Sequence, residues 1–254
     1  INKLAVDYQD ITNQFYVETQ FRQVISFGMG LEQKFLKINT ETLGNSTAPG
    51  DFDGIFEKSN FYSAFGYVKL DSFDDKYFPS KGVYFDGDFH LYLFSSDYNE
   101  NFKEFSIAKG TVGYVFSPLR KFTTRISSET GFRIGTDSTN SLDFFLGGYG
   151  NEFINNFIPF FGYDYISISG DSYIKGMIEL DYEIFRNNHI TASANFANAA
   201  NGLYSSGNWF SSPDYTGYAL GYGLETFLGP IEVKYSYSPE IQKNEWFFSV
   251  GFWF

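Results

Sequence analysis

The sequence predicts an all-β protein, an antiparallel β-barrel that crosses a membrane. Three observations carry this. Segment after segment alternates apolar and polar residues with a period of two, the pattern of a strand whose two faces meet unlike surroundings. Aromatic residues make up 22% of the chain, with 32 Phe and 20 Tyr, yet the net charge is −12 and the mean hydropathy only −0.24. Abundant rings are therefore combined with an abundant polar surface. The links between segments mostly alternate between short and long, as the turns and loops of a membrane barrel do. No stretch approaches the roughly 20 consecutive apolar residues of a membrane helix. A closed barrel is the other structure that satisfies its backbone in lipid.

Twelve candidate strands follow in order: 3–9, 14–22, 24–38, 60–72, 82–95, 104–117, 121–134, 172–185, 189–198, 216–227, 230–239 and 245–254. In the third, Ile25, Phe27, Met29 and Leu31 oppose Ser26, Glu32 and Lys34. In the fifth, Phe85, Phe89, Leu91 and Leu93 oppose Tyr84, Asp86, Asp88, His90 and Tyr92. The eighth sets Ile174, Ile178, Leu180, Tyr182 and Ile184 against Lys175, Glu179, Asp181 and Glu183. The tenth sets Tyr218, Leu220, Tyr222 and Leu224 against Ala219, Gly221, Gly223 and Glu225. In the eleventh, Ile231, Val233, Tyr235 and Tyr237 oppose Glu232, Lys234, Ser236 and Ser238. The last sets Trp246, Phe248, Val250, Phe252 and Phe254 against Glu245, Phe247, Ser249, Gly251 and Trp253. Each apolar side is free of charge, as lipid demands: a Lys or Arg at the bilayer midplane costs ~2–4 kcal/mol.

A soluble β-sandwich would show the same alternation. Two features favour the barrel. The polar side is rich in Gly and small residues as well as charge, as a lumen is. The links also sort by length. Those at 22–23, 118–120, 186–188 and 228–230 are short, and those at 39–59, 96–103, 135–171 and 199–215 are long. The link 73–81 is longer but falls on the short-turn side. With the C-terminus periplasmic, every long loop lies outside the cell. The expected location is the outer membrane, integral, with residues 1–254 forming one barrel domain. Such a barrel must be exported. With no signal peptide and no Met at Ile1, the chain is expected to be processed or truncated. The lack of Cys fits an oxidising compartment. An acidic chain whose 18 Lys and Arg are scattered is not expected to bind nucleic acid.

Candidate site residues fall into three groups. The lumen is expected to hold Asp86, Asp88, His90, Lys175, Glu179, Asp181 and Asn198. The acidic rows could bind a cation or bias a pore toward cations, but cross-strand pairing with Lys69, Lys109, Arg125 and Lys175 is the preferred reading. Within the loop 135–171, the stretch Phe153 to Phe161 is apolar beyond what a free extracellular loop exposes. Phe157, Phe160, Phe161, Gly162 and Tyr163 are expected to plug the lumen, with a partner-protein contact as the alternative. Trp246, Phe248, Phe252 and Phe254 form an insertion signal, through which barrel assembly machinery would engage the last strand. No nucleophile motif is complete: Gly44-Asn45-Ser46-Thr47-Ala48 and Gly170-Asp171-Ser172-Tyr173-Ile174 both lack the second Gly of G-x-S-x-G. A Ser–His pair on the outer wall is not favoured either: His90 reads as a lumen residue and His189 as a turn residue. The runs 51–54 and 99–101 read as solvated turns rather than Ca²⁺ loops. No catalytic residue, cofactor or metal is expected. The other partners are membrane lipids and lipopolysaccharide, with a homodimer or a larger outer-membrane complex left open.

Several motifs resemble one family. Asp74-Asp75-Lys76-Tyr77-Phe78-Pro79-Ser80-Lys81-Gly82 is similar to the "DDxYFPTKG" turn of the Omp85 superfamily, which includes outer-membrane assembly factors and two-partner secretion pores. The stretch from Phe145-Leu146-Gly147-Gly148 to Gly162-Tyr163 resembles that family's sixth extracellular loop, and Phe196-Ala197-Asn198-Ala199-Ala200-Asn201 its "FxDAGN"-like strand. The ending from Gly229-Pro230-Ile231 to Phe254 resembles its last two strands, so the resemblance covers about residue 60 onward. Phe144 to Gly150, Gly170 to Lys175 and the terminal Gly251-Phe252-Trp253-Phe254 look most like the C-terminal barrel of Bacteroidetes patatin-like proteins. There, a lipid acyl hydrolase precedes a linker domain and a sixteen-stranded barrel. The resemblance implies that this chain holds the last dozen or so strands of such a barrel. It would anchor or translocate a hydrolase absent from these residues. An assembly factor and a passive pore are the alternatives, and a self-contained twelve-stranded barrel stays open. Two positions depart from the superfamily pattern. The Arg that precedes Gly in the loop tip is Phe161 here, and the acidic partner that it pairs with is Asn198. Losing both together is coherent, because one buried charge left alone would cost several kcal/mol.

Overall fold

The computed structural model describes residues 3–43, 56–96, 100, 102–135, 142–149 and 156–251. The near-motif at 44–48, the run 51–54, Asn99 and Asn101 of the run 99–101, Gly150, residues 153–155, Phe252, Trp253 and Phe254 lie outside them.

Eleven strands form one antiparallel sheet in which every neighbour pair is adjacent in the sheet's chain order. The first six are β1 (Lys3–Phe21), β2 (Ile25–Leu43), β3 (Phe56–Asp71), β4 (Gly82–Ser95), β5 (Phe105–Leu119) and β6 (Phe122–Gly135). Three short strands, β7 (Phe144–Leu146), β8 (Phe157–Ile158) and β9 (Ile168–Gly170), form a separate small sheet in the order β8-β7-β9. The large sheet resumes with β10 (Ser172–Phe185), β11 (Asn188–Ala200), β12 (Tyr215–Thr226), β13 (Gly229–Ser238) and β14 (Lys243–Val250). A short helix, α1 (Leu203–Ser206), and a 3-10 turn (Asn208–Phe210) lie in the link between β11 and β12.

The first two expected strands are one. Lys3 to Phe21 pairs without interruption against Leu43 to Ile25. The polar run Gln9-Asp10 to Asn13-Gln14 looks like a turn in sequence, but it carries on a ladder longer than the roughly 10 residues that a bilayer needs. Among the described residues the large sheet therefore has eleven strands rather than twelve. The loop expected over 135–171 contains β7, β8 and β9. The tight turns on one rim depend on left-handed residues: Lys121 at φ 69° and Asn187 at φ 64° are the second residues of two-residue turns, and each hairpin has a register shift beside its turn.

The two faces differ as parity requires. Ile178, Leu220 and Phe248 are 44%, 64% and 67% exposed, and all stand on the outer face. On the inner face lie residues 142–149 and 156–170, and residues that share that side, such as Val115, Ile107, Asn195 and Lys234, are buried. The sheet is strongly curled. Phe78, in the link between β3 and β4, stacks on His189 of β11 at 4.1 Å, although β4, β5, β6 and β10 intervene in the sheet.

Candidate functional site in the interior

The inner face carries charge in small cross-strand groups. Glu32 accepts a hydrogen bond from Gln14 at 2.7 Å and lies 3.5 Å from His90, which is 3.6 Å from Asp88. Asp88 pairs in register with Lys109, and Asp86 lies 3.1 Å from Lys69. Lys175 reaches Glu129 at 3.0 Å, and the Tyr173 hydroxyl donates to the same carboxylate at 2.9 Å. Glu179 accepts from Lys234 at 3.2 Å and from Ser193 at 2.9 Å, with Arg125 3.7 Å away. Asp181 is 2.9 Å from His189. Charges sit this deep because each has a partner of opposite charge on its own strand, on the next one or across the interior, which offsets the loss of water. Among the described residues no group of His, Cys, Asp and Glu could hold a metal ion.

Against this face pack residues 142–149 and 156–170. Leu142, Phe144, Leu146, Ile158, Phe160, Tyr163 and Ile168 are buried and cluster with Ile107, Tyr173 and Ala197 of the strands. Two close approaches need glycine. A Cβ on Gly162, at φ 79°, would stand 2.6 Å from the Ser238 nitrogen, and one on Gly217 would stand 2.0 Å from the Phe161 oxygen. Polar contacts fix the register. Arg133 is 2.8 Å from Asp143. The Phe161 N–H donates to the Asn195 side-chain oxygen at 3.3 Å. Lys234 donates to the Tyr149 hydroxyl at 2.9 Å and faces the rings of Tyr149 at 4.6 Å and Phe161 at 5.7 Å. Tyr149 also meets Phe247 edge-on at 4.8 Å. A cavity of about 600 Å³ remains between the segment and β4 to β6, lined by Asp86, Asp88, Lys109, Glu129 and Phe161 among others.

Phe157, Phe160, Phe161, Gly162 and Tyr163 thus lie within the inner segment, and Asp86, Asp88, His90, Lys175, Glu179 and Asp181 on the inner face. Trp246 and Phe248 stand on the outer face, 73% and 67% exposed. Asn198 departs from its expected place. It pairs with Ile174 and so shares the outer face, where its amide nitrogen donates to the oxygens of Trp209 and Ser211 and its carbonyl accepts the Asp214 N–H at 2.8 Å. The reason is parity: the odd residues 189 to 195 of β11 face inward, so an even one does not. Asn195, three residues earlier, meets the loop tip instead. His189 is more than a turn residue. β11 begins one residue before it, and it is buried between Asp181 and the Phe78 ring. Sequence reading also missed Tyr149 and Lys234. Lys234 stood on the polar side of its strand, but its partner lies 85 residues away.

At the short-turn rim, the link between β3 and β4 is organised by Asp74. Burial works to raise its pKa, but the Ser80 hydroxyl and the N–H groups of Lys81 and Ser80 outweigh that and hold the carboxyl below the usual range.

An antiparallel sheet with an apolar outer face, charged inner face and filled interior defines an integral outer-membrane β-barrel. The model of the OMP85 superfamily matches residues 1–254, and the chain belongs to that superfamily. Among solved structures it is similar to BamA from Haemophilus ducreyi lacking POTRA domains 1–3, with a TM-score of 0.70 and 10% identity. The match covers 96% of this chain and 54% of that one, so this chain spans about half of its length. No curated protein sequence matches.

Proposed function

We propose that this chain is the membrane anchor or translocator of a larger Omp85-type protein, and that its cargo is a patatin-like lipid acyl hydrolase outside the 254 residues. The observation that carries the anchor reading is the filled interior: residues of 142–149 and 156–170 are buried against the inner face and tied to it through Arg133 and Lys234. A wide passive pore would leave that space to water. The hydrolase rests on the resemblance of Phe144 to Gly150 and Gly170 to Lys175 to patatin-linked barrels. Barrel assembly machinery would engage β14, where Trp246 and Phe248 present rings to lipid, and lipids with lipopolysaccharide would surround the outer face.

The test is to read the coding sequence before Ile1 and assay the whole gene product on phospholipid ester substrates. A G-x-S-x-G turn with ester hydrolysis that ends on Ser→Ala substitution supports the reading. A run of periplasmic repeat domains overturns it in favour of an assembly factor. Neither of these, together with large single-channel conductance, overturns it in favour of a pore.

A further inference from the structure

The link 201–214 between β11 and β12 does not rise off the rim. It turns back across the outer face of β10 and β6, the strands on the far side from β12. The Tyr204 ring of α1 stacks on Phe132 of β6 at 4.8 Å, and Trp209 stands edge-on to both at 5.4 and 6.0 Å. Phe132 pairs with Ser172 just as Ile126 pairs with Ile178, so it belongs to the outer, apolar face, and Ser172 beneath the link is fully buried.

The link is held rigidly. Asn198 binds its far half through Trp209, Ser211 and Asp214. The Asp171 carboxylate accepts the Gly202 N–H at 3.0 Å. Yet this fixed segment presents Phe210 at 91% exposure and Tyr204 at 44%. In a chain with 30 Asp and Glu, residues 201–213 contain no Asp, Glu, Lys or Arg. They mix large rings with Ser and Asn. Side chains with an apolar body and a polar end concentrate where a bilayer meets water.

We propose that residues 203–210 form an interfacial anchor that seats in the lipid headgroup layer of the leaflet on the long-loop side. The occupant is the bilayer itself, because the patch continues the lipid-facing surface of β6 and β10 upward. A link pinned at both ends by Asp171 and Asn198 would transmit that seating to the strands and fix the barrel's depth. The inference does not depend on any hydrolase.

The chain has no Cys, so Phe210→Cys provides a single thiol for a polarity-sensitive fluorophore, read in phosphatidylcholine vesicles. The expected result is blue-shifted emission, quenched about twofold more by a nitroxide at the headgroup than by one deep in the acyl chains. Red-shifted emission quenched by aqueous iodide but not by lipid nitroxides overturns the proposal. So does stronger quenching by the deep nitroxide, or a blue shift that no lipid nitroxide quenches, which would indicate a contact between copies. Should F210C fail to insert, the Trp209 signal, taken as the difference between wild type and W209F in lipids brominated near the headgroup or deep in the chain, gives the same readout.

Discussion

The Lys234 ammonium donates to the Tyr149 hydroxyl at 2.9 Å while sitting 3.2 Å from Glu179. A strand cation therefore joins the interior segment to a buried carboxylate. In the superfamily pattern the cation belongs to the loop and the anion to the wall. By the resemblance, Phe161 stands where that pattern has its loop Arg, and here a wall residue carries the positive charge, facing two rings as well as an anion.

Lys234→Met should therefore destabilise the chain by about 1.5–3 kcal/mol, because Glu179 loses its nearer cation while Arg125 and Ser193 remain. Tyr149→Phe should cost about 1 kcal/mol. Urea unfolding in detergent micelles measures both, and the double variant should cost less than the sum. Strict additivity would mean that the two side chains do not act together.

Leu220 stands on the outer face near the middle of β12. Leu220→Arg should cost about 2–4 kcal/mol in lipid vesicles, whereas Leu228→Arg, in the turn at the rim, should cost about 0–1 kcal/mol. Equal penalties at the two positions would contradict a membrane-spanning β12.

Phe78 reaches His189 only because Gly223 leaves room: a Cβ there would stand 2.7 Å from the Phe78 ring. Gly223→Val should destabilise by about 1–3 kcal/mol through overpacking. Adding Phe78→Ala should restore part of that loss, since the clashing ring is gone. Thermal unfolding followed by gel mobility reads the cycle, and a double variant worse than both singles would refute the packing.

Asp74 has a folded pKa below its unfolded value. Its contribution is thus present above the unfolded carboxylate pKa, about 3.9, and is lost as pH falls through the lower folded value. Asp74→Asn should be less stable than wild type at pH 7, and the gap should narrow as the medium is acidified. A gap that widens on acidification would reverse the sign and sink the assignment.

Much of the fold was legible because a strand's faces follow from counting by two. Glu179 and Lys175 could be set opposite Ile178 without any coordinates, and the rim of short turns followed from link lengths. The error at β1 has the same root. The run Asp7 to Gln14 has polar residues on both faces, and parity has nothing to say where neither side is greasy. Asn198 failed for a different reason: motif matching placed it by family position, while its even number in β11 already pointed outward.

Alternation by itself determined which residues share a face of each strand, because a residue's face depends only on its place in the chain; the small and charged polar side and the sorted link lengths then set rings outward and charges inward. Which inward groups meet was decided by the tertiary structure. Tyr149 finds Lys234, and Phe78 finds His189, only once the sheet curls and a distant segment folds against its inner face, and no local pattern encodes that curvature.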